Sequence, residues 1–173
     1  SPDGFVALGH EGVATIHKLG KGVTTDHLGT PVREGDKVII YNAVPCGKCD
    51  ICLHGDAGCP NWTFLPPEGI RSFDETPHFI QGYAEYIYFR PGIQYLKIPQ
   101  DLPIDITAVF GCAGPTDIRA FQYAGGIQPT ETVLVQGSGP IGLFAVLYAK
   151  TLGASRVINV GGPRNRLDKA KLL

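Results

Sequence analysis

The 173-residue chain contains no apolar run long enough to cross a bilayer. Its longest, from Ile141 to Ala149 with Gly142 and Tyr148 inside it, falls far short of the roughly 20 residues that a spanning helix needs. A basic block is missing too. Fifteen Lys and Arg stand against sixteen Asp and Glu, a formal charge of -1, and no cluster of cations offers a footing for a phosphate backbone. Neither a membrane nor a nucleic acid is therefore expected as a partner. The chain does not open on a charged segment followed by an apolar one, so no export signal is visible and a reducing cytoplasm is the expected location. Internal repeats and low-complexity tracts are absent, which leaves one ordinary domain or parts of two.

Glycine (23) and proline (14) are plentiful and imply many turns. Cysteine is sparse but unevenly placed: four of the five lie between Cys46 and Cys59, and Cys112 stands by itself. In a reducing compartment such crowding points to metal ligation and away from disulfides.

Up to about residue 99 the chain alternates short β-branched or aromatic runs with Gly, Pro and Asp, and strands are expected at 12–16, 37–41, 84–89 and 95–98. Gly35 and Asp36 form a turn just before the second of these, and the segment 64–79, with three prolines and little periodicity, reads as a surface loop. Residues 105–124 change to helical spacing, with a break expected near Gly114 and Pro115. Beyond them, a strand at 132–136, a glycine-rich turn, a helix to Leu152, a second strand at 156–160 and a helix from Asn165 make the start of a βαβ unit. Two parallel strands by themselves would leave a sheet exposed on both faces, so the chain is expected to be a fragment of a larger fold.

Cys46, Cys49, Cys52 and Cys59 supply four thiolates within fourteen positions, enough to close a tetrahedral shell around one zinc. A filled shell has no open position, so this metal is expected to be structural. An iron–sulfur cluster is the competing reading, because Cys-x2-Cys-x2-Cys also opens ferredoxin motifs and Pro60 follows the last cysteine; the longer gap to Cys59 argues against it. Gly137, Ser138, Gly139, Pro140, Ile141 and Gly142 lie between strand and helix, where glycines let a pyrophosphate approach the helix N-terminus. An acid that would hold the ribose 2′-hydroxyl is expected at the end of the second strand, but Gly161 stands there. Arg164 and Arg166 follow closely and could meet a 2′-phosphate, which permits NADP as well as NAD. His10, Glu11 and Cys112 could supply an imidazole, a carboxylate and a thiolate to a second metal.

Taken in order, Gly9 to Gly12, the four-cysteine cluster, Gly82 to Tyr86, Gly111 to Thr116 and Gly137 to Gly142 resemble the zinc-containing medium-chain alcohol dehydrogenases along essentially the whole chain. The resemblance implies an α/β protein: a β-rich, GroES-like catalytic domain over 1–115, with its zinc lobe at about 44–62, followed at 116–173 by the first part of a Rossmann domain, a doubly wound parallel sheet. It implies a structural and a catalytic zinc, NAD or NADP, an alcohol or carbonyl substrate, and a homodimer or homotetramer. His10 and Cys112 match catalytic-zinc ligands, Glu11 the carboxylate beside them, and Thr116 a residue packing near the nicotinamide. The family's first catalytic cysteine and the hydroxyl that starts its proton relay would precede Ser1. A non-catalytic zinc-stabilised module, or an inactive fragment, is the alternative expectation.

Overall fold

The computed structural model describes residues 9–41, 44–55, 58–61, 82–89 and 91–173. The chain divides into two compact units, Ser1–Gly111 and Cys112–Leu173, so the break falls a few residues ahead of the boundary expected after residue 115.

In the first unit, β1 (Glu11–Thr15), β2 (Lys37–Tyr41) and β3 (Gln94–Lys97) form an antiparallel sheet in that order, with Gly12 opposite Ile40 and Val38 opposite Lys97. The period of two in β2 is visible in its burial: Val38 and Ile40 are sealed off while Lys37 and Tyr41 face solvent. Ile40 and Ile93 form a small core, against which Ala14, Val44, Ile87 and Phe89 pack. Gly12 belongs opposite Ile40 because a Cβ there would stand 3.1 Å from the Ile40 Cδ1 atom.

Polar groups hold this thin sheet in register. The buried Asp26 carboxylate accepts the N–H groups of Leu28, Thr30 and Lys97, each at 2.9 Å. Asp36 accepts the Lys97 ammonium at 2.7 Å and the Arg33 N–H at 2.9 Å. The expected Gly35–Asp36 turn is present: Gly35 has φ 91, and the Asp36 N–H donates to the Arg33 carbonyl.

Two expectations fail here. The run 84–89 forms no strand, and its side chains Ile87 and Phe89 cover the core from irregular backbone. The helix break lies elsewhere than Gly114 and Pro115. After α1 (Asp50–Leu53) in the cysteine segment, α2 (Ile104–Thr107) runs into a 3-10 turn at Ala108–Gly111, and the backbone turns at Cys112 (φ -143, ψ -62). α3 (Ala113–Tyr123) then passes unbroken through Gly114 and Pro115. Proline is tolerated there because it lies in the first helical turn, where its missing N–H would have had no intrahelical partner. The loop expected at 64–79 lies outside the described residues.

In the second unit β4 (Thr132–Gln136) and β5 (Arg156–Val160) pair in parallel, joined by α4 (Pro140–Thr151), and α5 (Arg164–Ala170) follows. α4 buries Phe144, Ala145, Val146 and Ala149. Val135 meets Ala145 and Val146 to form the core, with Phe121, Val133 and Val157 at its edge. Gly153, with φ 93, ends α4 by taking the left-handed conformation after the last turn. No helix among the described residues is long and apolar enough to cross a membrane.

The two aspartates give the first unit an acid limit. Burial raises the Asp26 carboxyl, but the N–H donors of Lys97, Thr30 and Leu28 outweigh it and the net shift is downward. Asp36 is lowered first by the Lys97 side chain, then by the Arg33 N–H. Because both folded values lie below the ordinary 3.8, the stability they contribute is present above about pH 4 and is lost as pH falls through the folded values. Asp26→Ala is expected to lower the melting temperature by roughly 5–10 °C at neutral pH and to flatten the acid limb of a melting-temperature-against-pH curve. An unchanged acid limb would show that Asp26 is not the titrating staple.

Candidate functional site

The cysteine segment folds around its own sulfurs. Gly47 (φ 71) and Gly58 (φ 95) take left-handed turns that few other residues adopt, and they return Cys46 and Cys59 toward one another. Cys49 precedes the single turn of α1, whose Leu53 N–H bonds back to the Cys49 carbonyl. The Sγ atoms of Cys46, Cys49, Cys52 and Cys59 all lie within 4.8 Å of one another. Cys49 is 3.5 Å from Cys52 and 3.7 Å from Cys59, and Cys46 is 3.9 Å from Cys52. A zinc–sulfur bond of about 2.3 Å sets the edge of a regular four-sulfur tetrahedron at roughly 3.8 Å, so the donor set fits a single zinc ion. An iron–sulfur cluster, which interposes its own iron and sulfide atoms, would need its cysteine sulfurs farther apart than this.

The electrostatics agree. Backbone N–H groups, first that of Lys48, pull the Cys46 thiol down to about 6. Burial, then the sulfurs of Cys49 and Cys59, push Cys52 up to about 12. Four crowded sulfurs tolerate one negative charge far better than several unless a cation stands among them. The cage has Cys59 buried and the other three half-buried, and the Cys46 N–H points at the Cys59 sulfur at 3.4 Å.

His10 and Glu11 lie at the entrance to β1, both more than half exposed, with His10 Nε2 4.0 Å from Glu11 Oε1. Gly9 (φ 99) allows the chain to press against the next segment: its carbonyl accepts the Gly82 N–H at 2.9 Å, and a Cβ would stand 2.8 Å from the Tyr83 nitrogen. Gly111 lies in van der Waals contact with the other end of the pair, its Cβ position 3.4 Å from the Glu11 Cα. Cys112 is half-buried at the start of the second unit, and its carbonyl accepts both the N–H and the hydroxyl of Thr116. Next to Thr116, Asp117 is buried; its Oδ2 atom has no hydrogen-bond partner among the described residues, and burial raises its carboxyl to about 6. Nothing in the one-dimensional pattern singles out Asp117, since an aspartate near a helix start is usually a solvated one.

The glycine turn spends its three glycines differently. Gly137 has φ 120. Gly142 must lack a Cβ because one would overlap the Gly137 carbonyl oxygen. At Gly139 only the Arg166 guanidinium comes as near as 4.0 Å to a notional Cβ, so the face over the helix start is open. Pro140 opens α4, Ile141 is half exposed, and no side chain caps the helix, which leaves its first N–H groups for an anion. The Arg164 Nε bonds to Asp168 at 3.1 Å, while Arg166 reaches toward the turn. At Gly161 a Cβ would overlap the Ser138 hydroxyl and stand 2.9 Å from the Ser138 nitrogen. Ser138 is buried, and its hydroxyl donates to Asn159 Oδ1 at 2.8 Å. Asn159 Nδ2 donates to the carbonyls of Gly137 at 2.7 Å and Val135 at 3.2 Å. The sequence pattern marks Ser138 only as part of the glycine turn and does not mark Asn159, although a lone amide in the run 156–160 is a visible signal.

Residues 1–100 match the model of the alcohol dehydrogenase GroES-like domain. The chain is 36% identical over 169 residues to 5-exo-hydroxycamphor dehydrogenase of Pseudomonas putida, covering 97% of this chain and 45% of that protein. A crystal structure of an alcohol dehydrogenase from Thermotoga maritima superposes with a TM-score of 0.84 at 33% identity, over 96% of this chain and 45% of the other. Galactitol-1-phosphate dehydrogenase from Escherichia coli gives 0.71 at 30% identity, over 96% and 43%. The chain thus spans about half the length of the relatives it matches.

Treatment with a chelator is expected to raise the number of rapidly alkylated thiols by four, the membership of the cage. Because the thiols must lose protons to hold a metal, the chelator concentration needed should fall as pH is lowered. Cys52→Ser should lose that metal by elemental analysis. Equal alkylation with and without chelator would exclude a metal cage.

Proposed function

The chain belongs to the alcohol dehydrogenase family that carries a GroES-like domain, and from that premise we propose that the protein it represents is a zinc-dependent oxidoreductase, moving hydride between an alcohol or its carbonyl partner and NAD or NADP. The observation that carries the reading is the glycine turn between two parallel strands, opening onto an uncapped helix, in a chain whose residues 1–100 match that domain.

The four cysteines are read as ligands of a structural zinc, with the sulfur spacing in support. His10, Glu11 and Cys112 are read as the residues of a catalytic zinc site, on the family resemblance and on their donor chemistry: imidazole, carboxylate and thiolate are zinc's usual ligands. When bound there, zinc supplies Lewis acidity to the oxygen of an alcohol or carbonyl. Glu11 stands beside the imidazole and can hold its orientation or join the ligand set. The Thr116 hydroxyl, tied to the Cys112 carbonyl, fixes the start of α3.

In the dinucleotide site, the N–H groups of Ile141 and Gly142 at the start of α4 would receive the pyrophosphate. Gly161 presents no carboxylate to a ribose 2′ position, and Arg166 offers a cation near the turn, so a 2′-phosphate is accommodated as well as a hydroxyl. The chain's own location in a reducing compartment, where the four thiols stay unoxidised, belongs to the same reading.

Incubation of the intact protein with a panel of primary and secondary alcohols should reduce NAD or NADP. His10→Ala and Cys112→Ser should each lower kcat/KM by on the order of 100-fold or more while the cysteine cage keeps its metal. Arg166→Ala should weaken NADP more than NAD. No absorbance change with either dinucleotide, in protein whose metal content is intact, would overturn the proposal.

A further inference from the structure

Ser138 and Asn159 are the two polar side chains beneath the glycine turn, and neither is needed by the dinucleotide chemistry just described. Their hydrogen bonds are fully specified. Asn159 stands opposite Val135 in the parallel pair, one position before the end of β5. Both of its amide donors are used, on the carbonyls of Gly137 and Val135, and its oxygen accepts from Ser138. Only this orientation of the amide works, since the reverse would set an oxygen against two carbonyls. A fourth bond, from the Gly137 N–H to the Val160 carbonyl at 2.7 Å, continues the ladder past the last residue of β4.

We propose that Asn159 is a positioning residue that clamps the turn at Gly137 and Ser138 onto the end of β5, and that by doing so it removes the space in which a side chain at position 161 would stand. The inference rests on the reading of this turn as the dinucleotide loop. Gly137 has its carbonyl fixed by Asn159 and its amide by Val160, so the peptide that must take φ 120 is held from both sides. Ser138 is drawn down onto Asn159, and the Ser138 nitrogen and hydroxyl occupy the place of a Cβ on Gly161. The lack of an acid at 161 is then a consequence of the clamp. A carboxylate there requires the turn to lift, and Asn159 opposes the lift.

The test compares Asn159→Asp, Asn159→Ala and Ser138→Ala in the intact protein by amide hydrogen exchange at residues 137–143 without ligand, by dinucleotide titration, and by kcat at saturating dinucleotide. Asn159→Asp keeps the shape but loses both donors, so it should speed exchange across the turn and weaken dinucleotide binding by roughly tenfold, with kcat at saturation little changed. Ser138→Ala, which removes one hydroxyl and should fold normally, is expected to show a smaller change in the same direction. Gly161→Ala should loosen the turn in the native background and add little in Asn159→Ala, because both changes release the same contact. Unchanged exchange in Asn159→Asp would overturn the clamp, as would additive effects of Gly161→Ala and Asn159→Ala. If the unmodified protein binds no dinucleotide, the functional reading fails, and the exchange data still decide for or against the clamp.

Discussion

Three N–H groups from two distant stretches of chain converge on the buried carboxylate of Asp26, and the order of the first unit depends on that convergence. Among the described residues its sheet has strands of four or five residues over a small core centred on Ile40 and Ile93, so polar contacts share in fixing strand register. Asp26 ties the turn at residues 26–30 to Lys97 in β3, and Lys97 reaches Asp36 at the start of β2. β2 in turn sets the register of β1, whose first residue is Glu11. A chain of polar contacts thus leads from a buried aspartate to the presentation of His10 and Glu11.

The cysteine segment meets the same shortage of core by other means. Its four-residue helix buries nothing, so local conformation rests on left-handed glycines and on what the four sulfurs can hold. The opposite displacements of Cys46 and Cys52 express how poorly a crowded set of thiols tolerates charge until a cation joins it. In the second unit the constraint is steric. The glycines of the turn answer separate demands, one for a positive φ and one for contact with a carbonyl, and Gly161 belongs with them although it lies just past the next strand.

Much of this was legible in one dimension wherever the interacting residues are neighbours in sequence. The cysteines declare their cage by spacing, and the period of two in 37–41 and the strand–turn–helix order at 132–151 declare their elements. The misread places involve distance or context. A proline in a helical pattern signals a break, but its cost depends on position, and for Pro115 in the first turn of α3 it is small. Residues 84–89 alternate like a strand yet cover the core without pairing, because pairing requires a free neighbouring edge that a sequence pattern does not reveal.

The sequence by itself determined the clustering of the four thiols, the order of the two modules and the glycine-rich turn between strand and helix, since each of these is encoded within a few adjacent residues. Tertiary structure decided the sulfur spacing that suits one ion, the approach of Arg166 to the turn at Gly139, and the lack of room for a side chain at Gly161. The physical reason is that those properties depend on through-space distances between residues as far apart as Ser138 and Asn159, where a few tenths of an ångström separate a hydrogen bond from a clash.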